Sequence, residues 1–254
     1  MMNTIRADFY RITRSWHIFV GFGVIALISA LQMIGIGLGI GITDTYQVVL
    51  NGSTSTSFLN TLTPFLVVGV MSMAYTIGGP IFQDKAAKNE VAWGASRTKL
   101  YISRMISIAL LCIAMMILYI GLGMLIATIM NGFGVVQPGF WSDFFIGFMG
   151  QTLLMIITGW MGIFLTFTIK NGFVVFEIFG ALVAWPILLS MILSFTGIEL
   201  GRVLNFDMLT SIARLGDFGA MTQREILYAV GVGLVWLILS TVLGLVKFNR
   251  AEIK

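Results

Sequence analysis

The chain has 254 residues, of which 58% are hydrophobic and only 10% charged. Soluble domains carry about 25% charged residues, so this composition cannot supply the polar shell of a soluble protein of this length, and soluble-enzyme classes fall away. The formal net charge of +4 fits Lys and Arg retained on one side of a membrane better than it fits a nucleic-acid surface.

Asn3 to Ser15 opens the chain with helical periodicity. Ile5, Phe9, Ile12 and Trp16 share one face, and Arg6, Tyr10, Arg11 and Arg14 occupy the others. That pattern predicts a short helix over residues 3–15 lying in the membrane interface. A plain cytoplasmic extension of the first span is the alternative. The segment is amphipathic and no small-residue cleavage site follows promptly, which argues against a cleavable signal peptide.

Six apolar runs follow, and they predict an all-α integral membrane protein with six transmembrane helices. The spans are Trp16–Ile42, Leu62–Phe82, Met105–Met130, Phe144–Ile169, Phe173–Phe195 and Ile226–Val246. Each holds at least about 20 residues at about 1.5 Å rise, enough for a hydrocarbon core of roughly 30 Å. Gly35, Gly37, Gly39 and Gly41 give two GxxxG spacings at the end of the first run, a signature of close helix packing or of loosened helix beside a pathway. The gap after it, Thr43–Thr61, has no Lys or Arg, and Thr43–Asn60 within it reads as a polar, mobile loop rich in Ser and Thr. Asn51-Gly52-Ser53 there matches the short glycosylation acceptor pattern.

Gln83 to Arg104 is the longest polar interruption on the basic side. Gln83–Trp93 is long enough for two to three helical turns, with Asp84 and Lys88 spaced to pair across one turn. Gly94 ends that helix and Ser96 caps a new one running into the third span. An ordinary basic loop is the alternative to a docking helix. Cys112 lies in the third run, where a lone cysteine reads as a packed core residue. The turn Lys170-Asn171-Gly172 separates the fourth and fifth runs. Pro186 is expected to kink the fifth, with Trp185, Met191 and Phe195 lining a pathway or facing lipid. Thr196–Glu225 is too apolar for a simple loop and predicts one or two short helices dipping into the membrane from the outer side.

Twelve of the fifteen Lys and Arg residues fall in the N-terminal segment, the gap after span two, the turn after span four and the tail. Both termini are therefore expected to face the cytoplasm, and an even number of spans agrees.

Catalytic constellations are absent. His17 is the single histidine, and no paired cysteines or GxxxxGK[ST] phosphate loop occur. The chain is not expected to be an enzyme, and ATP-driven work would need a separate protein. Glu177 is the one acid inside a proposed span. An isolated charge there is expensive, so it should face the bundle interior or pair with Lys170 or His17. A structural pair, a gating or subunit contact, and an ion relay all stay open for it.

In the order and placement of these elements the chain resembles the membrane subunit of a bacterial ABC-2-type transporter. That family has an amphipathic N-terminal helix, six spans, a cytoplasmic coupling helix between spans two and three, and re-entrant helices between spans five and six. Here these correspond to Asn3–Ser15, Gln83–Trp93 and Thr196–Glu225. The local likeness is sharpest at Trp93-Gly94-Ala95-Ser96-Arg97-Thr98-Lys99-Leu100-Tyr101-Ile102-Ser103-Arg104, which is similar to the Gly-x-Ser-Arg…Tyr…Lys/Arg stretch following the coupling helix. Ile5 to Ser15 and Lys247 to Ile253 are similar to the family's opening and tail, so the likeness covers nearly the whole chain.

The resemblance implies a dimer of membrane subunits, the second one identical or homologous, in the bacterial plasma membrane. Each subunit contacts a separate cytoplasmic ATPase that binds ATP and Mg; this chain itself binds no cofactor. Small size and greasy spans look most like the group that exports antimicrobial peptides or confers lantibiotic immunity, with an amphipathic peptide as substrate, membrane lipid as surroundings and no nucleic acid as partner. On this reading Asp84, Lys88, Glu90, Trp93 and Arg97 couple to the ATPase, and Gly35, Gly39, Phe65, Met73, Phe176 and Glu177 line or gate the pathway. Lipid, drug or sodium efflux on the same architecture, a gradient-driven secondary transporter using Glu177, a membrane-embedded enzyme and a sensor partner that moves nothing are the rivals.

Overall fold

A computed structural model describes residues 2–38, 50–83, 96–169, 174–175, 177–178, 181, 207–216 and 218–250. Every regular element among them is helical. α1 spans Met2–Arg14 and breaks at Ser15 into α2, Trp16–Gly37. α3 is Ser55–Gln83, α4 is Arg97–Asn131 and α5 is Phe140–Ile169. A short α6, Met208–Leu215, and a single 3-10 turn at Phe218–Ala220 lead into α7, Gln223–Ile238. α7 passes through a π-helical turn at Leu239–Leu243 into α8, Gly244–Arg250.

Among the described residues four stretches are long and apolar enough to cross a membrane: Ile18–Gly37, Arg97–Asn131, Phe140–Ile169 and Gln223–Asn249. They coincide with the first, third, fourth and sixth expected spans. The second expected span lies on α3, which has 29 residues and no charged one, although its continuous apolar part, Leu66–Gly78, is shorter. The fifth expected span lies outside the described residues except for helical positions at 174–175, 177–178 and 181.

The helices form an up-and-down bundle with two distinct ends. Asp8 of α1 and Asn249 of α8 both bond to the first turns of α4, so the first and last described helices share one end, here the terminal end. At the distal end the start of α3 is tied to the end of α4. Gly52 N–H donates to Gly132 O at 3.0 Å, Ser53 N–H to Phe133 O at 2.9 Å, and Asn131 Nδ2 to Leu50 O at 2.7 Å.

α3, α4 and α5 make the centre. Gly159 lets α5 approach both partners at once, because a Cβ there would crowd Ile108 of α4 and Val70 of α3. Gly162, one turn on, lets α5 approach α3 alone, against Ala74 and Met71. Cys112 is a buried free thiol in this seam. Small residues thus create close helix contact on α5, and of the two described glycines singled out at the end of the first run, one does so as well. Gly35 has nothing within 4 Å of a built Cβ, while Gly37 is packed on Met130 and Leu50.

Two local expectations are corrected. α3 starts at Ser55, seven residues before Leu62, because residues 51–54 are a cap rather than a loose loop. The Asn51 carboxamide oxygen accepts from Thr54 N–H at 2.9 Å and from the Ser53 hydroxyl at 2.8 Å, satisfying backbone donors that a helix start leaves unpaired. On α1 the expected apolar face does turn inward, with Ile12 buried and Ile5 and Phe9 half-buried, but Asp8 is buried with it and Trp16, expected on that face, lies past the break at Ser15 and is 70% exposed. The expected cap of α4 is present: the Ser96 hydroxyl accepts from Lys99 N–H at 3.3 Å. The stretch Gln83–Trp93 lies, beyond Gln83, outside the described residues.

Candidate coupling site at the terminal end

The first three turns of α4 gather the contacts that hold both chain ends. Ser96 starts the helix, and the 3.6-residue repeat then puts Arg97, Tyr101 and Arg104 along one broad face. Arg97 Nη1 donates to Asn249 O at 2.8 Å, where α8 is ending and its last carbonyls lack helical partners. Thr98 and Asn249 also approach through their side chains, 3.4–3.5 Å apart.

One turn further along, Tyr101 is fully buried and its hydroxyl donates to Ser240 O at 2.7 Å. That acceptor sits in the π-helical turn, where the wider repeat disturbs the regular backbone ladder. Gly244 makes the approach sterically possible, since a side chain there would overlap the Tyr101 hydroxyl. The rings of Tyr101, Phe167 and Phe248 complete the lock, with Phe167 and Phe248 centroids 4.6 Å apart and Tyr101 5.6 Å from Phe167. Three helices, α4, α5 and α8, therefore meet on one aromatic cluster.

Arg104 is 1% exposed and forms an ion pair with Asp8, itself 2% exposed. Ser107 Oγ donates to Asp8 Oδ2 at 3.3 Å. The pair fixes α1 against α4. Taking two charges out of water costs several kcal/mol per ion, so each needs the other in place. The sequence carried a signal for this contact: Asp8 is the only acid in an otherwise basic helix, and it falls between Ile5 and Ile12 on the helical repeat. An acid in an apolar stripe demands a buried cation. Arg104 sits in a run of basic residues that equally marks sidedness, so it does not stand out as the partner, and Tyr101, Ser240 and Asn249 carry no comparable signal.

A second polar knot lies between α2, α3 and α4, toward the distal half. Tyr119 Oη is 2.8 Å from Leu59 O and 3.0 Å from Gln32 Oε1, and Ser29 Oγ donates to Tyr119 O at 2.8 Å. These groups satisfy one another inside the bundle.

Outside these contacts the charge distribution is severe. α2 and α3 contain no Asp, Glu, Lys or Arg, and the charges of α4, α5, α7 and α8 fall only in their first or last turns or, for Arg104, in the buried pair. Between the ends the exposed side chains among the described residues are nearly all apolar, among them Leu27, Leu31, Ile117, Leu125, Leu153 and Leu234. Water would not tolerate apolar surface on this scale. The protein is a multi-pass, all-α integral membrane protein.

The chain matches no protein-family model and no curated protein sequence. Its site is therefore read from its own residues. Of the expected coupling residues, Arg97 is held on Asn249, while Asp84, Lys88, Glu90 and Trp93 lie outside the described residues. Of the expected pathway residues, Met73 is buried in the core, Gly35 is half-buried on α2 and Glu177 is exposed. Gly39 and Phe176 lie outside the described residues, as does the side chain of Phe65, whose backbone is part of α3. The described residues bring none of these pathway candidates together. Nor, among the described residues, do three or more His, Cys, Asp or Glu side chains converge as a metal site.

Proposed function

We propose that the protein is the membrane subunit of an ATP-driven exporter that moves amphipathic or antimicrobial peptides out of the cell or its membrane, for export or self-protection. ATP and Mg belong to a separate ATPase that docks on Gln83–Trp93, and a second membrane subunit completes the pathway. This chain is not itself an enzyme.

The observation that carries the reading is the convergence at the start of α4. The polar segment between α3 and α4 joins two long apolar helices at the end that also holds α1 and α8. A push on that segment is delivered to a helix start clamped by an ion pair, a backbone hydrogen bond and an aromatic cluster. Such a joint passes motion to several helices together instead of dissipating it in a loose turn.

Six spans with both ends in the cytoplasm fit the same reading. Ile169 ends α5 at the terminal end, and Asp207 precedes α6, which packs near the distal end; the intervening chain carries the apolar run Phe173–Phe195. α1 acts as the interfacial helix, and residues 196–225 as the re-entrant region.

The test is co-purification of an ATPase with the full-length protein from its host membrane. Scrambling Gln83–Trp93 is expected to abolish that association while membrane expression persists. Export of a labelled amphipathic peptide from vesicles should require ATP; transport supported by a proton or sodium gradient without a bound ATPase would replace this reading with a secondary transporter centred on Glu177.

A further inference from the structure

At the distal end, opposite the coupling site, the protein holds an open cleft of about 330 Å³. Its walls come from the first turn of α3, the loop before α5, the first turn of α5 and the 3-10 turn after α6. The lining is mixed: Ser57 and Gln137 offer a hydroxyl and an amide, Asp143 a carboxylate, and Phe140 and Phe144 aromatic surface.

Three features make this a built site. First, its walls are fixed. The α3 cap is bonded to Gly132 and Phe133, and that loop turns through Gly132, Gly134 and Gly139 at φ values of 74°, 82° and 89°, which suit glycine. On the other side α6 is pinned by Gln151 Nε2 donating to Ile212 O at 2.9 Å, and the start of α7 by the Thr222–Glu225 capping box. Little ordering is left for a ligand to impose. Second, among the described residues the cleft's lining holds one carboxylate and no cationic side chain. Asp143 makes no ion pair with any described residue, and Gly219 stands so close that a Cβ there would lie 2.9 Å from Asp143 Oδ2. Third, aromatic rings line the same cleft as that carboxylate. Phe140 and Phe144 are parallel at 6.1 Å, and Phe144 continues the stack to Phe148. A carboxylate beside aromatic faces attracts a cation through charge and through the ring quadrupole together.

We propose that this cleft binds a primary ammonium group carried on an amphipathic ligand, with Asp143 as its counter-ion, Phe140 and Phe144 as its aromatic wall, and Ser57 and Gln137 taking the remaining N–H donors. The ammonium comes either from a lysine of a membrane-active peptide or from an ethanolamine lipid headgroup, both of which present it at the membrane surface. The inference stands apart from the coupling reading, because binding here needs neither ATP nor a partner protein.

The experiment uses the full-length protein in phosphatidylcholine nanodiscs. Two fluorescein-labelled amphipathic helical peptides are titrated, one with lysines on its polar face and one with glutamines, and binding to empty nanodiscs is subtracted. Wild type should bind the lysine peptide at least about fivefold more tightly. Asp143→Asn should remove that preference without changing affinity for the glutamine peptide, and Asp143→Glu should keep it. In parallel, native mass spectrometry compares retention of phosphatidylethanolamine and phosphatidylglycerol by wild type and Asp143→Asn. Asp143-dependent retention of phosphatidylethanolamine, with no lysine preference in the peptide arm, assigns the ammonium to lipid; a lysine preference assigns it to peptide. A wild type that prefers neither the lysine peptide nor phosphatidylethanolamine overturns the proposal, a result that needs no variant to fold. So does a preference that survives Asp143→Asn. Loss of ATPase association at the other end leaves all these outcomes unchanged.

Discussion

Replacing either Asp8 or Arg104 with alanine strands the other charge in a site almost closed to water. Each single change is expected to cost about 3–5 kcal/mol, read as a lower thermal unfolding temperature of the detergent-solubilised protein. The double replacement Asp8→Ala with Arg104→Met should be markedly less damaging than the sum of the two singles, because no buried charge remains. Tyr101 and Gly244 form a second coupled pair of a different kind. Gly244→Ala drives a methyl group into the Tyr101 hydroxyl, and hydrogen exchange in the last helix should rise. Adding Tyr101→Phe removes the overlapping oxygen and should restore part of the protection, while Tyr101→Phe alone costs about 1–3 kcal/mol for the carbonyl it leaves unpaired. Rescue by a second mutation distinguishes steric conflict from general loss of packing.

At the scale of elements, the long helices were legible because lipid permits few alternatives. A run of about 20 apolar residues has to satisfy its backbone internally, so the third, fourth and sixth runs appear as helices that contain the expected spans. Ser96 was legible as a cap because a hydroxyl just before a basic helix start has one obvious backbone donor to satisfy. What the pattern could not reveal were contacts between elements. The serine- and threonine-rich stretch around Asn51 looks like mobile loop in composition, yet its order comes from Gly132 and Phe133, some 80 residues on. Likewise the burial of Asp8 on α1 depends on an arginine far along the chain. Asn51→Ala should shorten α3 at its start and destabilise it by about 0.5–2 kcal/mol, the usual cost of losing an Asn cap. Faster amide exchange confined to residues 53–58 would register the change.

For the whole molecule, the arrangement makes a prediction about sides. Lys99 and Lys247 lie exposed at the terminal end, and Gln137 is exposed at the distal end. Cysteines at 99 and 247 should react with an impermeant maleimide from one face of sealed vesicles, and a cysteine at 137 only from the opposite face. The native Cys112 is fully buried and should stay silent, so the background is clean. Labelling of 99 and 247 from opposite faces would break the bundle's even topology.

α4 runs unbroken for 35 residues and contains no proline. At about 1.5 Å per residue it is a rod roughly 50 Å long, well beyond the thickness of the hydrocarbon it crosses. A lever of that length has no elbow at which to lose a tilt. Rocking it by about 5° about one tip sweeps the other through roughly 4 Å, the width of a methylene chain. A tilt applied at Arg97 is thus carried undiminished to Asn131, at the far end of the same rod.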